Sequence, residues 1–170
     1  MKIADIYNND VTDGVGFCVS VWTQGCPNRC KNCQNPQTWD PTGGYEISLN
    51  NLIKQTKTAL IANGIQRNLS LLGGEPLAPY NRNNMNILIS SVREDFPSIK
   101  IYLWTGYTYE YLLDNLDNDI IDILSNIDYL IDGPYIDELR DISLPLRGSK
   151  NQRILAHEYS INFKDVSNEF

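Results

Sequence analysis

The stretch CVSVWTQGCPNRCKNCQNPQTW, residues 18–39, decides how this chain is read, because it contains all four cysteines. Together with the residues just before it, its first part (VGFCVSVWT, Val15 to Thr23) is β-branched and aromatic and predicts a strand. The part that follows is a loop in which Cys26, Cys30 and Cys33 form a CxxxCxxC pattern, while Cys18 stands upstream inside the strand. A strand that runs into clustered thiols sets them at the rim of a sheet.

Working outward, strands and helices alternate. Ser48 is a candidate N-cap for a helix carrying Leu49, Leu52, Ile53, Thr56, Ala59 and Leu60 at helical spacing and closed by Gly64. A strand from Asn68 to Leu72 follows and ends in GGEP. Pro79 to Phe96 then places Met85, Leu88, Ile89, Val92 and Phe96 on one helical face before Pro97 stops it. Ile99 to Trp104 predicts the next strand, Tyr109 to Leu113 and Asp119 to Leu124 two short helices, and Tyr129 to Asp132 a further strand before Gly-Pro. The tail, with LRGSKNQRIL and HEYSINF, has room for one or two more strands. This alternation predicts an α/β fold with a parallel sheet and right-handed crossovers, either doubly wound or part of a (β/α) barrel, as a single domain over residues 1–170. In either form chemistry gathers at the carboxyl ends of the strands, and TQGC, GGEP, TGYT and DGPY all fall there.

Composition narrows the function. The 170 residues are 42% hydrophobic and 21% charged, ordinary for a globular protein with its own core. A net charge of −7 and a pI of about 4.6 argue against binding nucleic acid, which requires gathered Lys and Arg. MKIADIYNND has no apolar leader core, and no run of about 18 apolar residues occurs, so neither a signal peptide nor a membrane span is expected. A cytoplasmic location is expected, where clustered cysteines bind metal or do redox work more often than they form disulfides.

The thiol pattern admits three readings. A zinc knuckle needs four ligands, so Cys18 or the single histidine, His157, would have to complete it. A redox pair at Cys30 and Cys33 has no need of Cys26. An iron–sulfur cube on three cysteines leaves one iron open for a substrate. Gly73 and Gly74 allow a tight turn and Pro76 stiffens its exit; Thr105 to Thr108 can end a strand and cap a helix; Asp132 can be a turn aspartate. Arg147, Ser149, Asn151 and Gln152 form a polar run suited to a solvated turn or to docking a partner's loop.

CxxxCxxC followed by GGEP at the end of the next strand resembles the radical S-adenosylmethionine (SAM) superfamily, and implies its minimal core, a partial (β/α) barrel of parallel strands. The fuller set WTQGCPNRCKNCQNPQTW, GGEPL, LWTGYT, IDGPY and PLRGSKNQRI, from about Asp13 to Ile154, resembles the anaerobic ribonucleoside-triphosphate reductase activating proteins. The resemblance implies a [4Fe-4S] cluster on Cys26, Cys30 and Cys33, the catalytic and metal-binding set, with SAM chelating the fourth iron. It assigns Asn32, Gln34, Gly73, Gly74, Glu75, Pro76, Thr105 and Asp132 to cofactor binding, with the glycine turn gripping the methionyl amino group and Asp132 contacting SAM or a monovalent cation beside it. An electron from a cellular donor would cleave SAM, and the 5′-deoxyadenosyl radical would take a hydrogen atom from a glycine in the reductase's large subunit. Arg147, Ser149, Asn151 and Gln152 are expected to meet that partner. An activase of the pyruvate formate-lyase type and a non-catalytic zinc module are the alternatives. One departure stands out: Asn32 occupies the place before the third cysteine where many members carry an aromatic residue, which leaves Tyr107 or Trp39 to stack on adenine. Cys18 and His157 are expected to be structural.

Overall fold

A computed structural model describes residues 1–170 as one eight-stranded sheet with four α-helices. The centre is parallel: β2 (Cys18–Thr23), β4 (Asn68–Gly73), β5 (Ile101–Trp104) and β6 (Tyr129–Asp132) lie side by side in chain order. Both flanks are antiparallel. β1 (Lys2–Asp10) pairs with β2 and with the short β3 (Tyr45–Glu46), while β7 (Arg153–Tyr159) pairs with β6 and with β8 (Asn162–Asp165). The spatial order is β3-β1-β2-β4-β5-β6-β7-β8.

An entirely parallel sheet is therefore not what forms. β1 and β2 are joined only by residues 11–17, too few for a crossover, which takes a dozen or more. β1 (KIADIYNND) gave no strand signal because its outward side chains are polar and mostly exposed.

The helices pack on one face of the sheet. α1 (Leu49–Leu60), α2 (Arg82–Asp95), α3 (Tyr109–Asp114) and α4 (Asn118–Asn126) bury Leu52, Leu60, Met85, Leu88, Ile89, Leu112, Ile123 and Leu124 in one core. From the strands, Val19, Val21, Leu69, Leu71, Ile101, Leu103 and Leu130 join them, every second residue, as pleating requires. The alternate residues Tyr102 and Ile131 face the other way, in a small cluster with Ile154 and Val166 that contains no helical residue. A doubly wound sheet carries helices on both faces, so that alternative is not adopted. No helix is long and apolar enough to cross a membrane.

The caps expected at Ser48 and Thr108 form, and Asp117 adds one that the sequence did not suggest. Ser48 Oγ, Thr108 Oγ1 and Asp117 Oδ1 accept backbone N–H bonds at the starts of α1, α3 and α4. α2 begins three residues later than Pro79 because Asn81 is buried, its amide donating to the carbonyls of Gln24 and Glu75 at 3.0 Å each.

The β4 end shows why two glycines stand there. Gly73 has φ +103°, and a Cβ on it would lie 2.9 Å from the Thr23 main chain; a Cβ on Gly74 would lie 2.5 Å from the Gly25 carbonyl oxygen. Gly73→Ala is expected to destabilise the protein by roughly 2–3 kcal/mol through left-handed strain and crowding, measured by urea unfolding.

Candidate functional site

The carboxyl ends of the parallel strands, closed over by residues 133–152, surround a cavity of about 450 Å³. Its wall includes Cys26, Cys30, Cys33 and Gln34 from the first loop, Gly73, Gly74 and Glu75 from the second, and Thr105 from the third. Arg147 and Gln152 also reach it, whereas Asn32, Pro76, Asp132, Ser149 and Asn151 do not.

The cysteine loop is pinched shut at its base, where the N–H groups of Gly25 and Cys26 donate to the carbonyls of Thr38 and Trp39 at 2.8 and 3.1 Å. Arg29 and Asn32 adopt positive φ (46° and 54°), which curls the loop inward. All three loop thiols are free and half-buried. Burial pushes the Cys26 and Cys30 thiols up; backbone N–H groups of Asn28 and Arg29 oppose this at Cys26. The Asn35 N–H donates to Cys33 Sγ at 3.4 Å. Hydrogen bonds to sulfur are part of what tunes an iron–sulfur cluster, so this donor set suits one.

A zinc knuckle on this loop would need Cys18 or His157 as its fourth ligand, and neither is on the cavity wall. Cys18 is fully buried in β2 and absent from the cavity wall. His157 lies on β7, with Nε2 2.7 Å from the Ser160 carbonyl oxygen and its ring edge-on to Phe163.

Glu75 joins three of the strand ends. It is 1% exposed, and its carboxylate accepts four hydrogen bonds. Thr105 Oγ1 (2.8 Å) and the Leu77 N–H (3.0 Å) donate to Oε1, while the Gly106 N–H (2.7 Å) and Asn28 Nδ2 (2.9 Å) donate to Oε2. Burial raises its pKa and all four donors lower it. Its side chain is thus a brace between the cysteine loop, the GGEP turn and the end of β5, and Gly73 and Gly74 line the cavity beside it.

Asp132 and the 147–152 run are both engaged in hydrogen bonds within the protein. Both oxygens of Asp132 accept from the Arg153 guanidinium, and Oδ2 also accepts the Tyr109 N–H at 2.8 Å. Arg153 then reaches Glu110 at 2.9 and 2.7 Å, so Asp132 ties β6 to β7 and α3. The side chains of the 147–152 run are engaged within the protein as well. Arg147 donates to the carbonyls of Pro145, Gln152 and Ser167, and the side chains of Ser149, Asn151 and Gln152 bond the 133–136 main chain or their own turn.

Of the two residues expected to stack on adenine, Trp39 is on the wall, and Trp22 and Asp13, which had no role in the sequence reading, join it. Trp22 and Trp39 contribute to the wall, and each has a buried indole N–H without a partner in the protein. Tyr107 is not on the wall; it stacks on Tyr111. Asp13 reaches the cavity from the loop before β2. Burial first, then Asp10, pushes its carboxyl up to about 7, while Asp10, although partly buried, is held ionised by the Ser20 hydroxyl and the Thr12 N–H. The alternation of hydrophobic residues carries no trace of either effect, although TDGVG marks the loop.

The fold and site define an α/β protein with three cysteines of one loop gathered at the carboxyl ends of its parallel strands. In agreement, a family described as a 4Fe-4S single cluster domain matches residues 12–155. Similar proteins include the anaerobic ribonucleoside-triphosphate reductase-activating protein of Enterobacteria phage T4, 37% identical over 91% of this chain and 93% of the relative. Those of Vibrio cholerae (35%, covering 95% and 100%) and Escherichia coli K12 (32%, covering 89% and 96%) carry the same name. The chain belongs to the family of anaerobic ribonucleoside-triphosphate reductase-activating proteins.

Two outcomes follow from the site's electrostatics. Glu75→Gln turns an amide NH₂ toward two donors and is expected to cost about 2 kcal/mol in urea unfolding. For Asp13, the folded carboxyl keeps its proton to about pH 7, while the unfolded chain releases it near pH 4. The folded state therefore binds more protons across that window, and stability falls as pH rises through it. Thermal unfolding of Asp13→Asn should show the parent losing ground to the variant between about pH 5 and pH 8.

Proposed function

We propose that this chain activates anaerobic ribonucleotide reductase by radical SAM chemistry: Cys26, Cys30 and Cys33 hold a [4Fe-4S] cluster, SAM occupies the adjoining cavity, and a glycine of the reductase's large subunit is the target. The observation that carries this is the meeting of three cysteines, a glycine main-chain turn and two tryptophans on one cavity wall. When bound and reduced by a cellular electron donor, the cluster would supply the electron that splits SAM into methionine and the 5′-deoxyadenosyl radical, which takes the glycine's hydrogen atom.

The chain's own residues bind and orient. Gly73 and Gly74 present main chain to the methionyl end of SAM, where a side chain would intrude. Thr105 and Gln34 line the same space. Trp39 lines the cavity and Tyr107 does not, which supports Trp39 as the residue that covers the adenine. Asp132 is occupied by Arg153, so a monovalent cation beside SAM has no role in this proposal. The protein supplies position and shielding, and the cofactors supply the reaction. A partial barrel built on the parallel strands, and a cytoplasmic location that keeps the thiols reduced, both belong to this proposal.

Anaerobic reconstitution is expected to give a brown protein with about four irons per chain. Cys26→Ala, Cys30→Ala and Cys33→Ala should each abolish loading, while Cys18→Ala and His157→Ala keep it. With SAM and a reductant, electron paramagnetic resonance should detect a glycyl radical on the anaerobic reductase and none on pyruvate formate-lyase; the opposite pattern would overturn the assignment.

A further inference from the structure

Two features still lack a purpose: the polar run at 147–152, which is consumed internally, and Asn32 at a position where an aromatic residue is usual. They meet in one network. After β6 the chain runs as residues 133–138 across the mouth of the cysteine loop. Its near side is stapled by the polar run: Asn151 Nδ2 donates to the Pro134 carbonyl (2.7 Å), Gln152 Nε2 to the Gly133 carbonyl (3.1 Å), and the Ile136 N–H to Ser149 Oγ (3.1 Å). Its far side is bonded to the cysteine loop. Asn32 Nδ2 donates to Asp137 Oδ2 (2.6 Å), Tyr135 OH donates to Asp137 Oδ1 (2.9 Å), and Lys31 pairs with Glu138 (2.8 Å).

The geometry explains the residue types. Asn32 sits at φ 54°, a left-handed conformation that asparagine tolerates and aromatic or β-branched residues rarely adopt. The loop's first half is already anchored through Asn28 to Glu75, whereas the side-chain bonds of Lys31 and Asn32, between Cys30 and Cys33, both go to the 133–138 segment. The Lys31–Glu138 pair is largely solvent-exposed and contributes little. The Asn32–Asp137–Tyr135 chain is the part with directional geometry, and Tyr135 shares the cavity wall with Cys30 and Cys33.

We propose that residues 133–138 are a strap that positions the Cys30–Cys33 half of the loop, with Asn32, Asp137 and Tyr135 as positioning residues for the iron–sulfur cluster. The proposal rests on the reading that the three cysteines hold that cluster. The network ties the cluster's ligands to β6 and β7 through the strap, so the 147–152 run acts on the metal centre without touching it.

The test uses reconstituted full-length protein without SAM or reductase, and reads iron release to a ferrous chelator together with the cluster's midpoint potential. Asn32→Asp, which sets two carboxylates face to face, and Asp137→Ala are each expected to release iron roughly tenfold faster than the parent, the lower end of what outer-shell partners are worth. Both should shift the potential, while thermal unfolding of the apo-proteins stays unchanged because the strap lies outside the core. The exchange Asn32→Asp/Asp137→Asn restores a donor and an acceptor and should return release to within about twofold of the parent and bring the potential back. Tyr135→Phe removes one hydroxyl bond and should fall between. Parent-like release in every variant, or an exchange variant as fast as Asn32→Asp alone, would overturn the strap. A parent that loads no iron overturns the cluster reading itself.

Discussion

Four donors on one buried carboxylate hold the site together. Glu75 takes hydrogen bonds from Asn28 in the cysteine loop, from Leu77 beyond the GGEP turn, and from Thr105 and Gly106 at the end of β5. A buried carboxylate without partners is costly, so the three segments are stable only in the arrangement that satisfies it. This constraint brings three loops that are far apart in sequence to one cavity.

The one-sided packing of the sheet makes room for that cavity. All four helices cover one face, leaving Trp22, Leu72 and Trp104 on the other to line the hollow with the strand ends. The antiparallel strands β7 and β8 extend the sheet, and the long connection before β7 folds back as the strap and the 147–152 turn. Asp132 and Arg153 sit where this connection leaves β6 and enters β7, which is why a strand-end acid is tied to an arginine there.

Much of the fold was legible, for local reasons. Ser48 and Thr108 cap helices through their own side chains, and the apolar spacing in α1 and α2 reports the face that each buries. β1 was not legible, because a flanking strand with polar outward residues lacks the apolar signal of a buried one. The hydrogen bonds of Asp132 and of the 147–152 run were not legible for a related reason. Their residue types suit ligand binding and internal bracing equally, and only the position of Arg153 and of the 133–136 main chain distinguishes the two.

From the sequence by itself came the alternation of elements, the three clustered thiols and the glycine turn that follows β4, because spacing, capping and conformational freedom belong to neighbouring residues. The tertiary structure alone decided which polar side chains face the cavity and which are spent on the frame. A hydrogen bond between Asn32 and Asp137, or between Asn28 and Glu75, joins residues whose separation along the chain leaves no local pattern. Asn32 marks that boundary: its place beside Cys33 is written in the motif, but its left-handed backbone and its partner on the strap exist only in the folded chain.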